Sequence, residues 1–141
     1  MAPIHARNLH PIHPFHAFLL AGSAPLLVGA LLADWAYSSS FELQWKNFAS
    51  WLLVGGLVLS GFVLLWAVVD LLRTGLPGRS GLLYPGLLLA TWVIGLIDAL
   101  EHAKDAWASM PAALILSLVV AILAALSAWL GLRTFNREVW P

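Results

Sequence analysis

Four long apolar segments separated by short polar ones dominate the pattern of the chain. They cover residues 15–37, 48–72, 82–100 and 111–132. A membrane core about 30 Å thick is crossed by a helix of roughly 20 apolar residues, so each segment is long enough to span it. The segments are rich in Leu and Ala and lack the period-two alternation of strands, which predicts helices.

The polar connections between these segments are short, covering residues 38–47, 73–81 and 101–110. Short loops place consecutive helices antiparallel. The pattern therefore predicts an all-α integral membrane protein, a four-helix up-down-up-down bundle in which residues 1–141 form a single transmembrane domain.

Composition supports a lipid environment for this bundle. The chain is 61% hydrophobic and 10% charged, whereas soluble domains average about 45–50% and about 25%. A surface with so few charges needs the lipid bilayer to cover it. The absence of cysteine excludes thiolate-bound iron–sulfur clusters, covalent C-x-x-C-H haem attachment and disulfides. The net charge of zero gives no indication of a nucleic-acid partner.

Positive charges are distributed unequally between the two sides of the predicted bundle. The side with both termini carries five arginines, namely Arg7, Arg73, Arg79, Arg133 and Arg137. The other side carries only Lys46 and Lys104. Because Lys and Arg accumulate in cytoplasmic loops, both termini are predicted to be cytoplasmic.

Small residues recur at four-residue spacing on two of the segments. They are Gly56 and Ser60 on the second segment, and Ser117, Ala121 and Ala125 on the fourth. Small residues let helices approach closely in lipid, so we interpret both stripes as packing surfaces within the bundle.

Ionisable side chains at membrane depth are the best candidates for function, because they are costly to keep there. The stretch HPIHPFH places His10, His13 and His16 at the inner mouth of the first helix, and Asp70 ends the second helix on the same side. Imidazoles with a carboxylate can hold a divalent metal or haem. Histidines at a helix entrance also sit comfortably among lipid headgroups, and both interpretations remain open.

A second polar cluster is predicted on the outer side. His102 follows Asp98 by four residues and shares its helical face, and Asp34 ends the first helix on that same side. We favour a helix-end pair facing water, in which His102 offsets the unfavourable position of Asp98 in the helix dipole. A catalytic role is the alternative.

Haem bound between two histidines of one chain is disfavoured by this layout. His102 lies on the opposite side from the other histidines, about 30 Å away if each helix spans the core. Axial ligation by a single histidine, or by a dimer, remains an option. The cofactor is therefore unknown, with haem b and a divalent metal as the candidates.

The opening motif resembles a known family. His10, Pro11, His13 and Pro14 form an H-P-x-H-P motif before the first of four spans, and the chain is similar to the bacterial membrane proteins called domain of unknown function 2231. The resemblance implies the four-span fold and a location in the bacterial inner membrane, with Asp70 as the match to an acidic position that ends the second span. Members of that family commonly carry a histidine within the third span, where this chain has none before His102.

Three functions are consistent with the sequence. The first is a non-enzymatic subunit that anchors or assists a redox or transport partner, because the loops are minimal and no catalytic constellation is present. The second is a metal- or haem-binding electron-transfer protein that uses the N-terminal histidines. The third is an oligomeric transporter of protons or small solutes, with Asp34, Asp70 and Asp98 as polar stations.

The predicted orientation can be tested with reporter fusions. A reporter that is active only in the cytoplasm is expected to be active when fused to the C-terminus and inactive when inserted in the 101–110 connection. The opposite result would reverse the assignment of the inner and outer sides.

Overall fold

The computed structural model describes residues 13–75 and 81–139, and these residues form four α-helices. They are α1 (Pro14–Ser40), α2 (Leu43–Thr74), α3 (Leu83–His102) and α4 (Ala112–Val139). Side chains beyond Arg133 are outside the description. Each helix is long and apolar enough to cross a membrane, so the predicted all-α class, with four helices that could span a membrane, is confirmed.

Local sequence signals bound the first helix at both ends. Pro14 occupies its first turn, where a missing backbone N–H does no harm. The side chain of His13 accepts a hydrogen bond from the backbone N–H of Phe15 at 3.2 Å. At the other end Phe41 adopts a left-handed conformation with φ of 57°, and its N–H donates to the carbonyl of Tyr37 at 2.8 Å. The chain then turns directly into α2.

The four helices surround a common axis, and each packs against two neighbours. The helix α1 contacts α2 and α4, and α3 contacts the same two helices. Within the described residues the backbones of α1 and α3, and those of α2 and α4, do not touch. These pairs therefore lie on the two diagonals of the bundle.

Contacts between helix ends define two ends of the bundle. His16 near the start of α1 contacts Tyr84 near the start of α3, and we call this the His16 end. Asp34 near the end of α1 contacts His102 at the end of α3, and we call this the Asp34 end. Which end faces the cytoplasm stays a prediction.

The apolar core is divided into two layers along the bundle axis. The Asp34-side layer comprises Leu27, Ala30, Leu53, Val120 and Ala124. The His16-side layer comprises Leu19, Leu20, Val63 and Leu88. Buried hydroxyl groups lie between the two layers, as described below.

The outside of the bundle is strongly apolar. Phe18, Trp51 and Leu72 are 72%, 77% and 79% exposed. In water each Å² of exposed apolar area would cost about 25 cal/mol of free energy. Lipid tails remove that cost, and the surface is therefore the one expected of a protein embedded in a bilayer.

Close approach of α1 and α2 depends on a glycine. A Cβ atom on Gly56 would lie 2.7 Å from Cγ of Leu27 and 3.4 Å from its backbone nitrogen. Leu27 is only 1% exposed, so it has little room to move. The small-residue position predicted from the sequence thus lies at this helix contact.

Adding a methyl group at Gly56 should destabilise the bundle. We expect Gly56→Ala to lower the free energy of unfolding by about 1–3 kcal/mol, because the core must shift to accept the new atom. Gly86→Ala is the matched control, since a Cβ atom there meets nothing within 4 Å. Thermal unfolding in detergent micelles measures both, and equal midpoints for the two variants would contradict the contact.

Candidate functional site

Four polar side chains from three helices meet inside the Asp34 end. They are Asp34 on α1, Asp98 and His102 on α3, and Ser117 on α4. Both carboxyl groups are fully buried, Ser117 is 1% exposed and His102 is 6% exposed. We call this group the Asp34–His102 cluster.

The imidazole of His102 joins α1 and α3 at the Asp34 end, although the backbones of these two helices do not touch within the described residues. Its Nε2 atom lies 2.9 Å from Oδ1 of Asp34, across the α1–α3 diagonal. Its Nδ1 atom lies 2.9 Å from the backbone carbonyl oxygen of Asp98 and 3.2 Å from Oδ1 of the same residue. Because a backbone carbonyl can only accept, Nδ1 must carry a proton.

The hydroxyl of Ser117 lies between the two carboxyl groups. Its Oγ atom is within hydrogen-bonding distance of Oδ2 of Asp34, and it lies 2.9 Å from Oδ2 of Asp98. A hydroxyl has one proton to donate, so it can serve only one of these two contacts. The other contact becomes a hydrogen bond only when that carboxyl group is itself protonated.

The number of protons in the cluster decides both its net charge and how many of its hydrogen bonds can form. Two carboxylates and a doubly protonated imidazole would carry a net charge of −1, and the second Ser117 contact would lack a proton. One further proton on a carboxyl group completes that contact and makes the cluster neutral. The added proton also completes the hydrogen bonding of the buried hydroxyl, and a hydrogen bond left unmade is costly away from water.

Lysine 46 supplies the neighbouring positive charge from α2. Its ammonium group donates to the carbonyl oxygens of His102 and Lys104, at 3.0 and 2.9 Å. His102 is the last residue of α3 and Lys104 lies just beyond it. Backbone acceptors at a helix C-terminus lack intrahelical partners, and a cation there complements the helix dipole. Lys46 therefore closes the end of α3 beside the cluster without bonding directly to either carboxyl group.

One carboxyl oxygen of the cluster is not hydrogen-bonded. Oδ1 of Asp98 is buried and makes no hydrogen bond, although Nδ1 of His102 lies 3.2 Å away in an ion-pair contact. A buried oxygen without a hydrogen bond is uncommon in native structures. The cluster thus retains acceptor capacity for a further proton.

The structure brings together Asp34, Asp98 and His102, the three residues predicted to form the outer cluster, but in a different environment from the predicted one. The interpretation of Asp98 and His102 as a pair facing water is wrong, because both side chains are buried. Asp34 on α1 and Ser117 on α4 cover them. The sequence predicted only a packing role for Ser117. Its membership of the cluster could have been suspected because it is a hydroxyl residue near the start of an uncharged segment, at the depth of Asp34.

The residues predicted to form the other polar cluster are only partly brought together by the structure. His10 lies outside the described residues. His13 and Asp70 are exposed, whereas His16 is 4% exposed and its Nε2 atom lies 2.8 Å from the hydroxyl oxygen of Tyr84. Among the side chains described, those of residues 13–75 and 81–133, no three from His, Asp or Glu are arranged to hold a metal ion. A metal or haem role for the N-terminal histidines stays a prediction.

Removing the imidazole should destabilise the Asp34 end. We expect His102→Ala to cost about 3–5 kcal/mol of folding free energy, because two buried carboxyl groups lose their shared cationic partner. Lys104→Ala breaks only the exposed ion pair with Glu101, and should cost less than about 1 kcal/mol. Unfolding in detergent measures both variants, and similar losses would show that the cluster does not stabilise the bundle.

Comparison with known proteins places the chain in a family. No curated protein and no solved structure gives a match. The family described as "Predicted membrane protein (DUF2231)" matches residues 10–139, a range that includes all four helices and the Asp34–His102 cluster. The chain therefore belongs to the DUF2231 family of predicted membrane proteins.

Proposed function

We propose that this membrane protein binds and releases a proton at the Asp34–His102 cluster. One observation carries the proposal: the single hydroxyl of Ser117 faces carboxyl oxygens of both Asp34 and Asp98. The cluster has four contacts that each need a proton to become a hydrogen bond, two made by His102 and two by Ser117. A doubly protonated imidazole supplies two protons and the hydroxyl supplies one, so one contact lacks a proton. The fourth proton is the one that we propose is exchanged.

Burial supports a functional role for these groups. Ionisable residues within transmembrane helices are rare and costly, and they commonly belong to ion pathways or proton relays. A structural role alone would be served by a single hydrogen-bonded pair. Here two carboxyl groups, an imidazole and a hydroxyl converge from three helices.

Proton release would change how the helices are held together. When the fourth proton leaves, the contact of Ser117 with one carboxyl group loses its hydrogen bond and the cluster carries a net charge of −1. Two carboxylates then face each other across one hydroxyl, and like charges in a buried site repel strongly. Proton occupancy is thereby coupled to the packing of α1, α3 and α4 at this end.

This role is compatible with the cellular setting predicted from the sequence. In the bacterial inner membrane, with both termini cytoplasmic, the cluster would lie toward the outer side. A proton-binding protein of this size would serve as an accessory subunit of a redox or transport partner, or as a homo-oligomer. Co-purification from mildly solubilised membranes tests the partner.

Infrared spectroscopy of purified protein tests the exchangeable proton directly. We expect the carbonyl stretching band of a protonated carboxyl group, shifted by D₂O. Asp34→Asn and Asp98→Asn should each abolish it, because the asparagine amide donates to Ser117 in place of the protonated carboxyl group.

Asp105→Asn provides the matched control for that measurement. Asp105 lies in the connection between α3 and α4, near the same end, and is exposed. The band should persist in this variant. A wild-type spectrum with no protonated carboxyl band at any pH, or a band unaffected by both cluster substitutions, would refute the proposed function.

A further inference from the structure

At the His16 end, only one of the two ring nitrogens of the buried His16 imidazole has a hydrogen-bond partner. Nε2 of His16 lies 2.8 Å from the hydroxyl oxygen of Tyr84, but Nδ1 is buried without a hydrogen-bond partner. The ring packs near Trp66, with 6.0 Å between ring centroids, and the exposed His13 packs on the same indole at 5.2 Å. The unpaired nitrogen of His16 can accept or donate a proton, and the neighbouring His13 is exposed at the surface.

Between the two apolar layers lies a layer of four buried hydroxyl groups, one from each helix. Its members are Ser23, Ser60, Thr91 and Ser127, and none is more than 4% exposed. We call it the hydroxyl layer.

Packing contacts place these four residues at one depth. A Cβ atom on Gly22, next to Ser23, would contact Leu59, next to Ser60. One on Gly61, on the other side of Ser60, would contact Trp92, next to Thr91. Thr91 and Ser127 are themselves 3.5 Å apart. Neighbour-to-neighbour contacts therefore connect α1, α2, α3 and α4 at this depth.

Each hydroxyl donates its proton back to its own helix. The acceptors are the carbonyls of Leu20, Leu57, Leu87 and Leu123, at 3.0, 3.2, 2.7 and 2.8 Å respectively. With their protons used in this way, the oxygens of Thr91 and Ser127 are two acceptors side by side. Their free lone pairs would be satisfied by a donor such as water.

Three polar groups are thus arranged along the bundle axis, separated by apolar layers. At a rise of about 1.5 Å per residue, Ser23 lies about 10 Å from His16 and about 16 Å from Asp34 along α1. The His16-side layer occupies the first interval and the Asp34-side layer the second. Neither interval can be crossed by one hydrogen bond.

We propose that a proton path runs along this axis from His16, through the hydroxyl layer, to the Asp34–His102 cluster, and that the two apolar layers close it except when water enters them. The proposal rests on the proposed function, since the cluster is one terminus of the path. His16, Tyr84 and the four hydroxyl residues are its other stations.

The proton balance along this path is simple. His16 accepts a proton at Nδ1 and gives one up from Nε2 to Tyr84, whose hydroxyl passes on its own proton. Each later hydroxyl accepts a proton on oxygen and releases another to water. A carboxylate of the cluster accepts the last proton, so one proton is moved and no bond between heavy atoms changes.

Proton flux into proteoliposomes, driven by a pH gradient and followed with an enclosed pH-sensitive dye, tests this path. Tyr84→Phe, Thr91→Val and Ser127→Ala each remove one hydroxyl, and each should reduce flux to the leak of protein-free vesicles. Ser39→Ala is the control, because Ser39 also donates back to its own helix but is exposed. It should leave flux unchanged.

An isosteric substitution in an apolar layer should act in the opposite direction. Val120 is 1% exposed in the Asp34-side layer, whereas its neighbour Val119 is 38% exposed on the lipid-facing surface. Val120→Thr places a hydroxyl inside the closing layer and should raise flux above wild type, and Val119→Thr should not. Both variants retain the shape of the side chain.

The outcomes separate this path from the proposed function. Wild-type flux no greater than that of protein-free vesicles would overturn the path, as would normal flux in both Thr91→Val and Ser127→Ala. In either case the infrared band of the cluster independently decides whether the exchangeable proton exists. Loss of flux in the hydroxyl variants together with a gain in Val120→Thr would support the path.

Discussion

The hydrogen bond between His102 and Asp34 is the interaction on which the Asp34 end depends. It links α1 to α3, whose backbones do not contact each other within the described residues. Neither partner can be buried alone at low cost, because an unpaired charge in a low-dielectric interior is strongly destabilising. The requirement for mutual pairing therefore draws the ends of both helices toward the axis, and Ser117 brings α4 to the same point.

Lipid surroundings explain why the interior of this bundle carries so many polar groups. The hydrophobic effect cannot drive helices together in a solvent as apolar as their own side chains, so close packing and polar contacts contribute more of the association. Gly56 allows α1 and α2 to approach closely, and the hydroxyl layer satisfies its donors within each helix. Polarity at the axis and apolarity at the surface are both consequences of that solvent.

Much of the fold could be predicted from the chain, and part of the cluster as well. Asp98 and His102 share a face because the helical period places residues four apart together, and short connections bring Asp34 to the same side. Burial of these groups was not predictable from that reasoning, since a helix-end pair facing water has the same spacing. The same limit applies to the histidines, where His16 is buried and His13 is exposed although both belong to one motif.

The sequence by itself determined the number of helices, their approximate extent and the lipid-facing character of the surface, because apolar segment length and composition are local properties of the chain. Only the tertiary structure decided which polar side chains share an environment. The placement of Ser117 between two carboxyl groups and the alignment of one hydroxyl from each helix depend on helix rotation and depth. Those are set by packing among residues far apart in sequence, which no local pattern encodes.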